Sequence, residues 1–402
     1  MLGKTIIFIT FLFFANGYSN PEVRRAPPDT FLNVVTFLIF IINSKYIKLY
    51  HLRTEDGYIL EMHRIPHGRN SRGNDTRPAV LVVPGVFCSS ADWVNMGPEK
   101  SLGFMLADEG YDVWLANYRG TRWSRKHAKL NPDVDLKAYW TFSFQQIGYY
   151  DLPAFIDYIL SLNKQEKLFY VGHSQGTTTF FALTSTRLEY NEKIRLSITL
   201  SPVAYMGHTT NPLIHSFEIS DNKFDYLLVQ DYHIYEILPY NPYLTLIAAI
   251  FCQDNAPTQE ICASLLYMVA GYTPDQLNKT MMPVIASNTP AGASIVQGLH
   301  FTQLYRSKKF QMFDYGKEKN LEIYGQTTPP EYDLSKITAP VAMYYGSKDP
   351  ACAKEDVDKA ASEISNLVIN KRIEGFSHID VLWGIDVVPL LYNDIIELMK
   401  LY

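Results

Sequence analysis

Cysteine is scarce: there are four in 402 residues, too few for a scaffold built on disulfides. Charge of neither sign dominates, since 36 Lys and Arg meet 41 Asp and Glu for a net charge of −5. That balance leaves no electrostatic footprint for nucleic acid. The chain also lacks an internal repeat, a low-complexity linker, an H-E-x-x-H pair, a P-loop and a dinucleotide fingerprint. Metal-hydrolase and nucleotide-binding chemistries are therefore without their usual residues. What remains is 47% apolar, 14% aromatic and only 19% charged, a globular balance rather than a disordered one. So many rings suit a large core, and some of them suit a pocket for long apolar ligands.

The first nineteen residues read as a signal peptide. Lys4 is the positive end, Ile6 to Phe14 the apolar stretch, and Ala15 to Ser19 a run with small residues suited to cleavage. A second apolar block, Val34 to Ile42, is bracketed by Asn33 and Asn43. Both blocks fall short of the about 18 residues that a membrane span requires, so no stable span is expected. Cys252 and Cys262 share the stretch "FCQDNAPTQEIC", whose Pro and Asn favour a loop that a disulfide could close. Cys88 and Cys352 are far apart and read as free thiols. Asn74 (N-D-T) and Asn278 (N-K-T) are glycosylation sequons that secretion would make usable.

Short apolar runs alternate with helical patterns through the first half of the chain. Strands are expected at Tyr58–Arg64, Ala79–Val83, Asp112–Asn117, Leu168–Val171 and Leu196–Leu200, with an amphipathic helix from Leu102 to Gly110. This rhythm is that of a mostly parallel sheet with crossover helices. After Ser201 it stops, and residues 204 to about 330 are rich in Tyr, Pro, Asn and Met. It resumes with "PVAMYYG" at Pro340–Gly346, a helix over Lys354–Ile364, "LVINKRI" at Leu367–Ile373 and a closing helix from Pro389. The expected organisation is an α/β core over 20–203 and 331–402, interrupted by a mainly helical cap over 204–330. Such a cap would cover the carboxyl end of the sheet, where open α/β sheets carry their sites.

The motif that carries chemistry is Gly172-His173-Ser174-Gln175-Gly176, within "KLFYVGHSQGTTTFFALTS". On its own, G-x-S-x-G also occurs as a Gly-Ser turn in a surface loop. Here an apolar strand precedes it and a helix-compatible stretch follows, which is the setting of a nucleophile elbow. The flanking glycines let strand and helix approach closely. At the helix start, the amide of Gln175 would face a developing oxyanion. In this topology an acid and then a histidine follow the serine. Asp349, just past the strand in "MYYGSKDPA", and His378, in "RIEGFSHIDVLWG", meet that order 29 residues apart (378 − 349). Asp356 is the competing acid, on a predicted helix. The turn after "AVLVVPG" supplies Val86 as the second oxyanion amide. His208, His215 and His233 read as cap or surface residues.

Seven strings extend the pattern: "TEDGYILEMHRIPHG", "DVWLANYRGTRWSRKH", "YWTFSFQQIGYYDLPAFIDYI", "VGHSQGTTTFF", "LSPVAYM", "PAGASIVQGLHFTQ" and "FSHIDVLWG". From about Thr54 to its end the chain resembles the acid lipases, which include gastric, lysosomal acid and many insect lipases. The resemblance implies the α/β-hydrolase fold, a cap with a mobile lid, no cofactor, and hydrolysis of triacylglycerol or cholesteryl esters at a lipid–water interface. It implies a secreted or lysosomal location. It carries the catalytic triad onto Ser174, Asp349 and His378 and the oxyanion hole onto Val86 and Gln175, and it supports a Cys252–Cys262 disulfide.

Three places depart from the family pattern. Pro84-Gly85 stands where His-Gly is usual, Phe376-Ser377-His378 where F-N-H is common, and "TFLIFIINSKYIKLY" (36–50) where a polar stretch with a Gly-Tyr-Pro turn is usual. The last reads either as an apolar segment for lipid contact or as translated noncoding sequence, whose AT-rich codons yield Phe, Ile, Asn, Lys and Tyr; the second is favoured. Two further functions remain open on sequence grounds. One is a carboxylesterase, thioesterase or peptidase on the same fold; the other is a lipid-binding homologue with weakened catalysis.

Overall fold

A computed structural model describes residues 48–69, 76–217 and 233–402. The signal peptide, Asn74 and most of the 36–50 stretch lie outside the described residues. Eleven strands are described: β1 (Lys48–Arg53), β2 (Tyr58–Ile65), β3 (Ala79–Val83), β4 (Asp112–Asn117), β5 (Lys126–His127), β6 (Leu168–His173), β7 (Ile194–Leu200), β8 (Glu236–Ile237), β9 (Ala293–Ser294), β10 (Val341–Gly346) and β11 (Leu367–Ile373). The main sheet runs β1-β2-β4-β3-β6-β7-β10-β11, with β5 pairing β2. From β4 to β11 every pairing is parallel; β1, β2 and β5 add antiparallel pairings at one edge.

The central strands β3, β4, β6 and β10 are buried at every position. That is what a strand covered on both faces requires, and why the interior of each reads as an apolar run rather than an alternating one. Period two then sorts the side chains. Leu81 and Val83 enter one core with Phe155, Ile159 and Phe180. Val80 and Val82 enter the opposite core with Leu106, Ile198 and Ile395. Helices α1 (Leu102–Asp108), α2 (Leu152–Asn163) and α3 (Gln175–Thr186) are the crossovers. α2 and α3 cover the first face and α1 the second. Pro153 occupies the first turn of α2, where a missing N–H is harmless, and Lys164 ends that helix in the left-handed region at φ 52°. Each large apolar side chain so buried contributes about 1.5–3 kcal/mol.

Between β7 and β10 lie α4 (Pro242–Phe251), α5 (Gln259–Ala270) and α6 (Ile295–Ser307), with β8 and β9 paired antiparallel. Asn241 caps α4 by accepting from the amides of Tyr243 and Leu244. The disulfide Cys252–Cys262, with Cα atoms 5.7 Å apart, ties the end of α4 to the first turns of α5. Cys88 and Cys352 are free and buried. After β10 come α7 (Lys354–Glu363) and, at the end of the chain, α8 (Asn393–Met399). No helix among the described residues is long and apolar enough to cross a membrane.

The expected strands and crossover helices form within one or two residues of their predicted bounds. The closing helix begins as a wide turn over Val388–Tyr392 before α8. β1 and β5 are additions. β1 contains residues 48–50 of the unusual apolar stretch and pairs with β2 from Lys48↔Arg64 to Arg53↔Ile59. Those three residues are part of the sheet.

Candidate active site

β6 runs directly into Ser174, and α3 starts at the next residue. Ser174 sits at φ 52° and ψ −118°, a left-handed conformation that costs a non-glycine residue on the order of 1–3 kcal/mol. Several hydrogen bonds hold it there. Its amide donates to the Leu200 carbonyl at 3.0 Å, and its carbonyl accepts from the Thr177 amide at 2.8 Å and the Thr177 hydroxyl at 2.6 Å. Gly172 and Gly176 are required by space. A Cβ on Gly176 would stand 2.6 Å from the Val83 carbonyl oxygen, and one on Gly172 would stand 2.9 Å from the Gly176 carbonyl. The turn thus carries Ser174, only 8% exposed, to the carboxyl end of the sheet.

Two loops meet it there. Asp349 follows β10 and His378 follows β11. His378 Nε2 lies 2.8 Å from Ser174 Oγ, and His378 Nδ1 lies 2.8 Å and 3.0 Å from the two Asp349 carboxyl oxygens. Asp349 Oδ1 also accepts from the amides of Ala351 and Cys352 at 2.8 and 3.1 Å. Burial alone would raise the Asp349 carboxyl. The charge and hydrogen bond of His378, with bonds from Ser201 and the Ala351 amide, outweigh it and hold the group below its ordinary value. An ionised Asp349 against Nδ1–H leaves Nε2 bare to accept the serine proton. The competing acid, Asp356, is buried elsewhere, where it accepts from the amide of His208 and meets that imidazole at 2.9 Å.

Gly85 lies against the elbow: a Cβ there would stand 2.9 Å from His173 Nδ1 and 3.1 Å from Ser174 Cβ. The buried Tyr118 hydroxyl donates to the Gly85 carbonyl. Val86 is half-buried and packs against the cluster of Ile234, Ile237 and Val296. Pro84 follows the last paired residue of β3, Val83↔Gly172, so its missing N–H interrupts no ladder. Gln175, as the first helical residue, has an amide with no intrahelical acceptor, and its side-chain oxygen accepts from Gln297 Nε2 on α6 at 2.9 Å. At the Ser377 departure, the amide donates to Asp380 at 2.6 Å.

The segment between β7 and β10 touches this end of the sheet through Gln297 at Gln175 and through α5 at His378. The His378 amide donates to the Ala270 carbonyl at the end of α5, 2.9 Å away. Asn278 is half-buried and precedes a short turn of helix. Asp349, Cys352 and His378 bring three metal-ligating atoms within 4.8 Å of one another. Their hydrogen bonds to each other account for that proximity. The sequence reading passed over three residues that touch this constellation: His173, Ser201 and Gln297. All three lie in family-like strings, "VGHSQGTTTFF", "LSPVAYM" and "PAGASIVQGLHFTQ", but no local pattern shows what they contact.

The chain matches the family model described as the alpha/beta hydrolase fold over residues 78–385, and a partial alpha/beta-hydrolase lipase region over residues 44–97. It is 39% identical to Lipase 3 of Drosophila melanogaster, over 87% of this chain and 88% of that protein. It is 35% identical to the human lysosomal acid lipase/cholesteryl ester hydrolase, over 100% of this chain and 98% of that protein. The chain belongs to the acid lipase family. Gastric triacylglycerol lipase of Rattus norvegicus, 39% identical over 87% of each chain, is a further relative. As a family member the protein is a carboxylic ester hydrolase. Among solved structures, a putative lipase from Sulfolobus solfataricus covers 88% of this chain and 93% of its own at a TM-score of 0.57 and 16% identity, which shows the shared fold. The lipase-region model begins at residue 44 and so takes in the end of the 36–50 stretch.

Proposed function

We propose that this acid lipase hydrolyses the ester bonds of neutral lipids, triacylglycerol and cholesteryl esters, through an acyl-enzyme on Ser174. The observation that carries the reading is the continuous hydrogen-bonded path from Ser174 Oγ through His378 to Asp349. Ser174 Oγ attacks the ester carbonyl carbon while His378 Nε2 takes its proton. The amides of Val86 and Gln175 meet the negative oxygen of the tetrahedral intermediate. His378 returns the proton to the leaving alcohol. Water, activated by the same imidazole, then attacks the acyl-serine and releases the fatty acid. Every step uses side chains and amides of the chain, and no cofactor is needed.

Residues 204–330 are the cap in this reading, and the apolar surface of α4 and α5 supports contact with a lipid–water interface. Ile247, Ile250, Phe251, Ile261 and Leu265 are all exposed there, and α4 contains no charged residue. Two of the named relatives are a lysosomal and a gastric lipase, which agrees with a secreted or lysosomal location. Glycosylation at Asn74 and Asn278 belongs to the same proposal.

The deciding experiment compares emulsified long-chain triacylglycerol and cholesteryl ester with short soluble esters across acid to neutral pH. Preference for the emulsified substrates is expected. Equal or better turnover of short soluble esters would make the protein a carboxylesterase, and no turnover of any ester by folded protein would make it a lipid-binding homologue.

A further inference from the structure

His173 immediately precedes the nucleophile and is buried, yet it does not touch the reacting atoms of the proposed triad. Its Nε2 lies 2.9 Å from the main-chain carbonyl oxygen of His378, and the two rings are 5.0 Å apart. A carbonyl only accepts, so Nε2 carries the proton and Nδ1 is bare. Nδ1 faces Gly85 and has no hydrogen-bond partner among the described residues. The ring is therefore fixed in one tautomer, with its single donor spent on His378.

Ser201 reaches the same carbonyl from the next strand. Its Oγ lies 3.4 Å from the His378 oxygen, and the hydroxyl also interacts with the Asp349 carboxyl. Ser201 is fully buried and sits at φ 51°, a left-handed conformation unusual for a residue with a side chain. Its amide holds that conformation by donating to the Tyr344 carbonyl of β10 at 2.7 Å. His173 ends β6, Ser201 follows β7 and Asp349 follows β10, three neighbouring strands. The main chain of His378 is thus held on both sides: its N–H by Ala270 and its C=O by His173 and Ser201.

We propose that His173 and Ser201 are positioning residues, clamping the His378 carbonyl to the sheet so that the imidazole stays between Ser174 and Asp349. The proposal rests on the reading of those three residues as the triad. Phe376, two residues earlier, is anchored separately, buried in the core with its carbonyl accepting from the Lys348 amide at 2.8 Å. Losing the clamp would therefore free the His378 backbone rather than the whole loop, and a displacement of about 1 Å at a reacting group can lower turnover about 100-fold. His173 is also suited to the place because it is neutral. Burial, helped by the charge of His378, pushes its pKa down to about 3, so no second cation forms beside the imidazolium during catalysis. The charged and titratable groups around it are His378 and Asp349.

The test measures kcat and apparent KM for wild type, His173→Leu, His173→Gln and Ser201→Ala, each normalised to sites labelled at completion by a fluorophosphonate, and ester hydrolysis by Ser174→Ala per mole of folded protein. Leucine fills the space without a donor, whereas glutamine restores a donor near the position of Nε2. The expected result is a fall in kcat on the order of 10- to 100-fold for His173→Leu, with apparent KM nearly unchanged and most of the loss recovered in His173→Gln. Ser201→Ala should lower kcat in the same way but less. Equal losses in the Leu and Gln variants, or a lowered Tm with unchanged kcat, would overturn the clamp. Where His173→Leu fails to fold, Ser201→Ala carries the test, and unchanged kcat in it overturns the proposal. Activity surviving in Ser174→Ala would instead overturn the triad reading beneath it.

Discussion

Ser174 Oγ and His378 Nε2 stand 2.8 Å apart although 204 residues separate them in the chain. Two loops at the carboxyl end of a parallel sheet create that contact, one after β6 and one after β11. Because α3 starts immediately after Ser174, the contact also places the serine beside the unpaired amides of a helix N-terminus. In the proposed mechanism these elements supply the nucleophile, its base and a donor for the oxyanion.

Asp349→Asn separates the role of the carboxylate from that of the loop. An asparagine oxygen can still accept from the amides of Ala351 and Cys352, so the fold should survive. The amide cannot stabilise the His378 imidazolium, and it permits the wrong tautomer. A fall in kcat on the order of 10⁴-fold is expected, with a melting temperature close to wild type. Kinetics and thermal unfolding on the same preparation would check this; near-normal kcat would remove Asp349 from the triad.

Gly176→Ala tests the packing that lets the elbow form. The added Cβ would lie 2.6 Å from the Val83 carbonyl oxygen, a backbone atom with no freedom to move aside. Overpacking of this kind costs about 1–3 kcal/mol, and the strain falls on the turn that carries Ser174. A lower Tm together with lost activity is expected. A variant as stable and active as wild type would show that the close approach of β3 and α3 is not required.

Asp92 should make stability depend on acid. It is buried in the turn after β3, where it accepts from the Ser89 amide and from the Thr289 hydroxyl, both at 2.6 Å. Burial outweighs those bonds and raises its pKa from 3.8 to about 6. A raised carboxyl binds its proton more tightly in the folded chain than in the unfolded one. Its contribution is fully present below about pH 4 and is lost as pH rises through about 6, a change of about 3 kcal/mol. Comparing Tm for wild type and Asp92→Asn from pH 4 to pH 7 checks this. The variant should gain relative to wild type across that window, and parallel curves would contradict the argument.

Legibility in the sequence followed burial. β3, β4, β6 and β10 are covered on both faces and show as apolar runs, so their bounds were readable to within a residue or two. β1 was not, because five of its six residues are exposed or half-buried and it mixes Lys, His and Arg with Leu and Tyr. β5, β8 and β9 have two residues each and are defined by pairing rather than by any pattern. Ser174 was readable because an elbow imposes glycines two residues to each side. Asp349 was preferred over Asp356 by its place after a strand, whereas Asp356 lies on α7 and pairs with His208. His173 and Ser201 were visible as letters in their motifs, but their contacts with His378 cross the fold and leave no trace in local sequence.

The most direct test of the account is covalent labelling of the folded protein with a fluorophosphonate, followed by peptide mass spectrometry and ester-hydrolysis assays on wild type and Ser174→Ala. The account predicts one adduct, on Ser174, stoichiometric with loss of activity and absent from an inactive Ser174→Ala protein. Hydrolysis persisting in Ser174→Ala, or inactivation with the label on another residue, would contradict it.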